Sequence, residues 1–160
     1  YCMTGWRLGY CGGPKEIIAG MNKIQSQSTT STSSISMAAS VEALDGNQDF
    51  IEKHNIQFKK RRDMVVEKLN KIQGLSCAIP SGAFYIYPSC VGLIGKQTPK
   101  GNTINTDEDF MNYLLDSEGV AGVHGEAFGL SPYFRLSYAT DNETLIDACA
   151  RIERACNNLR

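Results

Sequence analysis

The chain has 160 residues, enough for one domain of common size or one and a half smaller ones, and enough to bury a real core. Hydrophobic content of 42% and charged content of 21% are ordinary for a globular protein, and sixteen basic against seventeen acidic side chains leave no overall field toward nucleic acid or an anionic membrane. No apolar run approaches the roughly 20 residues that span a bilayer, and the six cysteines are scattered without a CxxC pair, which favours free buried thiols in a reducing cytosol over a disulfide framework or a zinc site.

The chain opens on a dense run, Tyr1 to Tyr10, in which Gly5 and Gly9 flank Trp6-Arg7-Leu8 and Arg7 is the only charge. Glycines so placed let a backbone or a ligand come close. An arginine among aromatic and apolar residues needs an anion: a carboxylate or phosphate ligand, or an acid elsewhere in the fold. Arg7 to Tyr10 reads as a strand. Cys11-Gly12-Gly13-Pro14 is a turn, with Pro14 suited to the first position of a helix. That helix carries Ile17, Ile18, Met21 and Ile24 on one side. It fades into Gln25 to Ser34, a polar stretch rich in Ser and Thr. This is either a flexible linker or an ordered loop whose hydroxyls cap the next helix and bind an anion. A short helix follows through Ile35, Met37, Ala38, Val41 and Leu44, broken by Asp45-Gly46-Asn47.

Gln48 to Ile72 is expected to be the longest helix, with Ile51, Phe58, Val65 and Ile72 repeating every seven residues and Leu69 on the same face. Lys59-Lys60-Arg61-Arg62 in its middle is a solvated face rather than a nucleic-acid patch, because Asp63 and Glu67 follow and no aromatic residues are interleaved. Leu75 to Ile79 reads as a strand. Pro80-Ser81-Gly82 makes a turn into a second strand, Ala83 to Tyr87, whose tyrosines a plain hairpin with core aromatics would explain. Gly92 to Asn105 is an exposed loop.

Thr106 is a good N-cap for the next helix, and Asp107-Glu108-Asp109 suit its positive end. Phe110, Leu114 and Leu115 give that helix an apolar side, and Gly119 ends it. Val120 to Val123 is a strand. His124 invites a general-base reading, but a turn residue is the better one. Alternation over Pro132 to Ala139 puts Phe134, Leu136 and Tyr138 on one face, and Tyr133, Arg135 and Ser137 on the other. One charge again interrupts a nearly uncharged strand. Asp141 and Thr144 lead into a last helix bearing Leu145, Ala148, Ile152, Ala155 and Leu159. Cys149 and Cys156 lie two turns apart on it, too far to bond.

Four blocks in order, Met3 to Tyr10, Pro80 to Pro88, Phe128-Gly129 and Arg135 to Ala139, resemble class I aminotransferases of the fold type I pyridoxal-phosphate superfamily, the aspartate aminotransferase group. The resemblance covers essentially the whole chain. It implies an α/β fold: residues 1–45 completing a large cofactor-binding domain, and residues 46–160 forming a small C-terminal α+β domain with a long connecting helix. It implies pyridoxal 5'-phosphate as cofactor, with Arg7 on its phosphate and, in a loop facing the partner subunit, Thr30 and Ser31 as further contacts. That loop departs from the Ser-Asn-Pro of many members. Arg135 inherits the arginine that grips the substrate α-carboxylate; Gly82 and Phe84 line the substrate entrance; His124 occupies a proline position.

In that family the cofactor lysine precedes this segment. It is expected about two residues before Tyr1, so the chain has no catalytic residue of its own and alone is expected to be inactive. The resemblance further implies a cytoplasmic homodimer acting on amino acid and 2-oxo acid substrates, aspartate by default, with neither nucleic acid nor membrane as partner. The alternative is an amino-acid-sensing transcription regulator carrying an aminotransferase-like domain.

Overall fold

Apolar residues at helical spacing, closed off by Gly, Pro and capping side chains, produce five helices, and the segments between them supply three very short strands. In the computed structural model, which describes residues 1–160, the helices are α1 (Lys15–Gln25), α2 (Ser34–Asp45), α3 (Asp49–Leu69), α4 (Asp107–Glu118) and α5 (Asn142–Asn157). The strands are β1 (Tyr85–Ile86), β2 (Val123–His124) and β3 (Phe134–Ser137). The chain divides into two compact units, Tyr1–Lys53 and His54–Arg160, the division falling inside α3.

The first unit is thin. Ser36 is its only buried residue, and its hydroxyl donates to the Trp6 carbonyl at 2.9 Å. The strand expected over Arg7 to Tyr10 does not form. A 3-10 turn, Thr4–Trp6, runs into Arg7 at φ 51°, and this left-handed residue turns the backbone off an extended path. Gly5 and Gly9 face open space, so nothing within the unit presses on them. Pro14 is the N-cap of α1 rather than its first residue. The apolar side of α1 forms as its spacing implies, yet Ile17, Met21 and Ile24 stay exposed. The Ser/Thr stretch makes an ordered turn: the Thr30 amide donates to the Gln25 carbonyl at 3.0 Å, and the Gln25 side-chain amide to the Thr29 hydroxyl. Ser33, at the N-cap of α2, contributes no side-chain cap.

The second unit holds the core. Leu69, Phe110, Leu114, Phe134 and Ile152 are fully buried where α3, α4 and α5 meet the sheet. Burial along the expected stripe of α3 deepens toward its C-terminal end, from half-buried Phe58 to Val65 and Leu69, with Ile72 buried just past it. The sheet is antiparallel with order β1-β3-β2, so β3 is central; Tyr85 pairs with Ser137, Ile86 with Leu136, Val123 with Arg135 and His124 with Phe134. The strand expected over Leu75 to Ile79 shrinks to one bridge, Ser76 with Ser89. A side chain replaces the missing strand: Asn70 donates to the Cys77 carbonyl at 2.9 Å and accepts from the Cys77 amide at 2.7 Å.

Thr106 caps α4 in a reciprocal box with Asp109, and Gly119 ends the helix in the left-handed region at φ 67°. All six cysteines are free, Cys2 and Cys11 exposed and the other four buried. Burial pushes the Cys90 and Cys156 thiols up to about 12, which leaves them unreactive as nucleophiles.

Candidate active site

Arg135 stands on the central strand, on the side opposite Phe134 and Tyr138, both of which point into the core. Its guanidinium carbon lies 4.3 Å from the Tyr85 ring centroid and 4.3 Å from that of Phe128. The antiparallel register delivers Tyr85 from β1, and the 3-10 turn Gly125–Phe128 delivers Phe128 from the segment between β2 and β3. A second layer of rings backs them: Tyr87 stacks on Tyr133 with centroids 5.6 Å apart and meets Phe128 edge-on at 6.3 Å.

The four ion pairs of the chain are Arg62–Asp63, Lys71–Glu67, Arg151–Asp147 and Arg154–Glu118, so Arg135 has no acid partner. A strand-edge arginine neutralised by a neighbouring carboxylate is thereby ruled out. Both rings meet the guanidinium without taking its N–H groups as an acid would, so these remain to donate to a planar anion.

The turn around Gly82 is fixed from two sides. Arg62 donates to the Pro80 carbonyl at 3.0 Å, and the Tyr138 hydroxyl donates to the Ala83 carbonyl at 2.7 Å. Gly82 itself is exposed, with open space where a Cβ would point. Ala83 next to it adopts φ 61°, a conformation an L-residue holds only when its surroundings enforce it. Phe84 is half-buried against the core with its ring 4.5 Å from that of Tyr85 and tilted 39° to it, so it reaches the arginine only through that ring. Parity separates the two: Phe84 and Ile86 turn to the core, while Tyr85 and Tyr87 share the side of Arg135. The tyrosines are therefore not core aromatics of a plain hairpin, and alternation along Phe84 to Tyr87 was the signal for it. Burial pushes the Tyr87 phenol up, and the Asp107 charge adds to that while Arg135 opposes it; the phenol donates to the Gly125 carbonyl at 3.2 Å. His124 leads into the Gly125–Phe128 turn and belongs to no cluster of His, Cys, Asp or Glu that could hold a metal.

In the first unit, Arg7 is exposed. One of its nitrogens donates to the Thr4 carbonyl at 3.2 Å, and with Thr4 and Leu8 it lines a shallow depression. It too has no acid partner, which leaves the rest of its fork for an external anion. Thr30 and Ser31 are exposed; Thr30 sits at φ 63° and its hydroxyl donates to the Thr29 carbonyl at 2.7 Å. No helix is long and apolar enough to cross a membrane. Within the basic run on α3, Arg62 is tied to Asp63, and Arg61 donates to Asn142 at 3.3 Å.

Arg7 in the first unit and Arg135 in the second are each left without an acid partner, and the family follows from comparison. The chain belongs to the aminotransferase class I and II family, whose model matches residues 1–152. It is 57% identical over 156 residues to a probable aspartate/prephenate aminotransferase of Rhizobium leguminosarum bv. phaseoli, covering 98% of this chain and 39% of that protein. Its fold is that of the C-terminal portion of aspartate aminotransferases. The crystal structure of the aspartate aminotransferase from Rhizobium meliloti superposes with a TM-score of 0.92 at 54% identity, over all of this chain and 40% of that one. The Thermus thermophilus aspartate aminotransferase with maleate superposes at a TM-score of 0.81 and 37% identity, over 96% of this chain and 38% of that one. The chain thus spans about 40% of the length of the relatives it matches. The regulator alternative finds no support among them.

Proposed function

We propose that these 160 residues are the C-terminal portion of a pyridoxal-phosphate-dependent aminotransferase and carry two of its anion-binding arginines. The observation carrying this reading is Arg135: a strand arginine stacked between Tyr85 and Phe128, in the Arg-Leu-Ser-Tyr-Ala motif, with no acid to neutralise it. It would hold the substrate α-carboxylate, and Arg7 would hold the cofactor phosphate, assisted by Thr30 and Ser31. Gly82 and Phe84 would frame the entrance. Arg7 fits a phosphate on its own evidence, since it is exposed, unpaired and next to the Thr4 backbone.

When bound, the cofactor supplies an electron sink that eases release of the substrate Cα proton. The chain's own contribution is orientation. A bidentate grip at Arg135 fixes which Cα bond points where, at about 1.5–3 kcal/mol per charge-assisted hydrogen bond. The lysine that would carry the cofactor is expected about two residues before Tyr1. Residues 1–45 would complete the large domain and residues 46–160 make the small one.

The uncovered apolar side of α1 supports a first unit that packs against further polypeptide. Relatives named aspartate/prephenate aminotransferase support aspartate as amino donor and a 2-oxo acid, prephenate among them, as acceptor; 2-oxoglutarate as a further acceptor and a cytoplasmic homodimer belong to the same reading by family resemblance. The test is the full-length gene product incubated with pyridoxal phosphate, L-aspartate and each 2-oxo acid. Amino transfer is expected to at least one acceptor. A folded, cofactor-loaded protein that transfers no amino group from any dicarboxylic amino acid would overturn the reading.

A further inference from the structure

Asp107 is 1% exposed, the only charged side chain of the chain buried to that degree. It is the first residue of α4, and no cation pairs with it. A buried anion without a counter-ion persists only if hydrogen bonds replace its water. They do so here: Asp107 accepts from the backbone amide of Glu126 at 3.0 Å through one oxygen, and from the Ser131 hydroxyl at 2.9 Å through the other. Burial pushes its carboxyl up, but the bonds from Ser131 and Glu126 outweigh this and hold it below its ordinary value, with the positive end of α4 adding to them.

The two donors bracket one feature. Glu126 lies two residues before Phe128 and Ser131 three residues after it. Between them the chain makes a tight turn, closed by the Gly129 amide on the Glu126 carbonyl at 2.9 Å and the Leu130 amide on the Gly125 carbonyl at 3.1 Å. Gly125 leaves no room for a Cβ, which would strike the Leu130 carbonyl and come within 2.9 Å of the Tyr87 hydroxyl. Phe128 projects from this turn half-exposed, with the Tyr87 ring edge-on at 6.3 Å and the Arg135 guanidinium carbon at 4.3 Å. Its place against Arg135 depends on the turn that carries it, and Asp107 holds that turn through the Glu126 amide on one side and the Ser131 hydroxyl on the other.

We infer that Asp107 is a positioning residue for substrate binding: by clamping the Gly125–Ser131 turn it holds Phe128 against the guanidinium of Arg135 and so presets the arginine edge that receives the carboxylate. This rests on the carboxylate role proposed for Arg135, and the experiment separates the two.

In the full-length, cofactor-loaded protein, Asp107→Asn, Ser131→Ala and Arg135→Gln are compared with the unaltered protein by titration with maleate, a dicarboxylate that cannot react, and by cofactor content. Asp107→Asn keeps the size but turns an amide donor toward the Glu126 N–H or the Ser131 hydroxyl. Its maleate Kd is expected to rise at least about fivefold, a fraction of what losing one charge-assisted hydrogen bond costs. Ser131→Ala should move it the same way by less, with cofactor content unchanged in both. Should Asp107→Asn fail to fold, Ser131→Ala decides alone. Unchanged maleate affinity in the folded variants, with affinity lost in Arg135→Gln, overturns the positioning role and leaves the arginine's role standing. Unchanged affinity in Arg135→Gln overturns the carboxylate reading itself.

Discussion

Arg135→Lys isolates the planar fork from the charge. Lysine keeps a positive head but presents it as a point, so a bidentate pair with a carboxylate becomes a single contact. It also loses its fit between the two rings, each now 4.3 Å from the guanidinium carbon. One charge-assisted hydrogen bond contributes about 1.5–3 kcal/mol, which is a roughly 10- to 150-fold change in an equilibrium. The two ring contacts add about 0.5–1 kcal/mol each, a stacking term lysine only partly recovers. Lost binding raises KM, and the lost orientation of the Cα bond lowers kcat as well. The assay is steady-state kinetics with L-aspartate on the full-length protein, with a maleate titration beside it. KM and maleate Kd should rise together by at least tenfold. A folded variant whose KM and Kd match the unaltered protein within error would refute the claim that geometry, beyond charge, makes the grip.

Three further outcomes follow from other parts of the chain. Thr106→Ala removes the capping box of α4 and should cost about 1 kcal/mol, a Tm drop of roughly 2–4 °C by calorimetry. Asp141 is held at about 2 by the Thr144 amide and then the Thr144 hydroxyl. Its folded value lies below the roughly 3.9 of an unfolded aspartate, so its contribution is full above pH ~4 and is lost as pH falls toward 2; urea midpoints of Asp141→Asn should fall less steeply than the parent's across that window, and parallel curves would contradict this. The 160-residue chain by itself should self-associate and bind a hydrophobic dye through Ile17, Met21 and Ile24, and replacing all three with serine should reduce both in light scattering and fluorescence.

Legibility followed the range of the forces involved. Caps are local: Thr106 as N-cap and Gly119 as the end of α4 are legible in neighbouring residues and form so, while the structure adds Asp109 closing the box on Thr106 and Asp141 capping α5 through Thr144. The parity of β3 was equally plain, because Phe134, Arg135 and Leu136 differ sharply in what they can bury. On β1 the same parity held, Phe84 and Ile86 turning to the core and Tyr85 to the arginine, but the aromatic residues Phe84, Tyr85 and Tyr87 differ little in what they can bury and so masked it. Asp107, Glu108 and Asp109 looked alike as acids at a helix start. One is buried because a turn nearly twenty residues later closes over it, a contact that leaves no mark on local sequence. Leu75 to Ile79 failed as a strand for a similar reason: the side chain of Asn70 took the hydrogen bonds a strand would have used. Arg7 was recognised as an anion seeker but not as a left-handed residue, because φ at a non-glycine is set by what surrounds it.

The two arginines differ in how they are held, and the difference fits the roles proposed for them. A substrate carboxylate must arrive and leave in every cycle, so the group that receives it cannot rely on the ligand for its order; each arrival would otherwise carry the entropy of fixing a long side chain, on the order of 0.5–1.5 kcal/mol. The Tyr85 and Phe128 rings against Arg135 lower that cost without competing for its N–H groups, as a carboxylate partner would. A cofactor phosphate stays bound through many cycles, so Arg7 can be ordered by its ligand. Its side chain accordingly rests on a single backbone carbonyl, and the constraint lies in its left-handed main chain instead. On the roles proposed, ring contacts suit the arginine whose anion exchanges in every cycle, and a main-chain constraint suits the one whose anion stays.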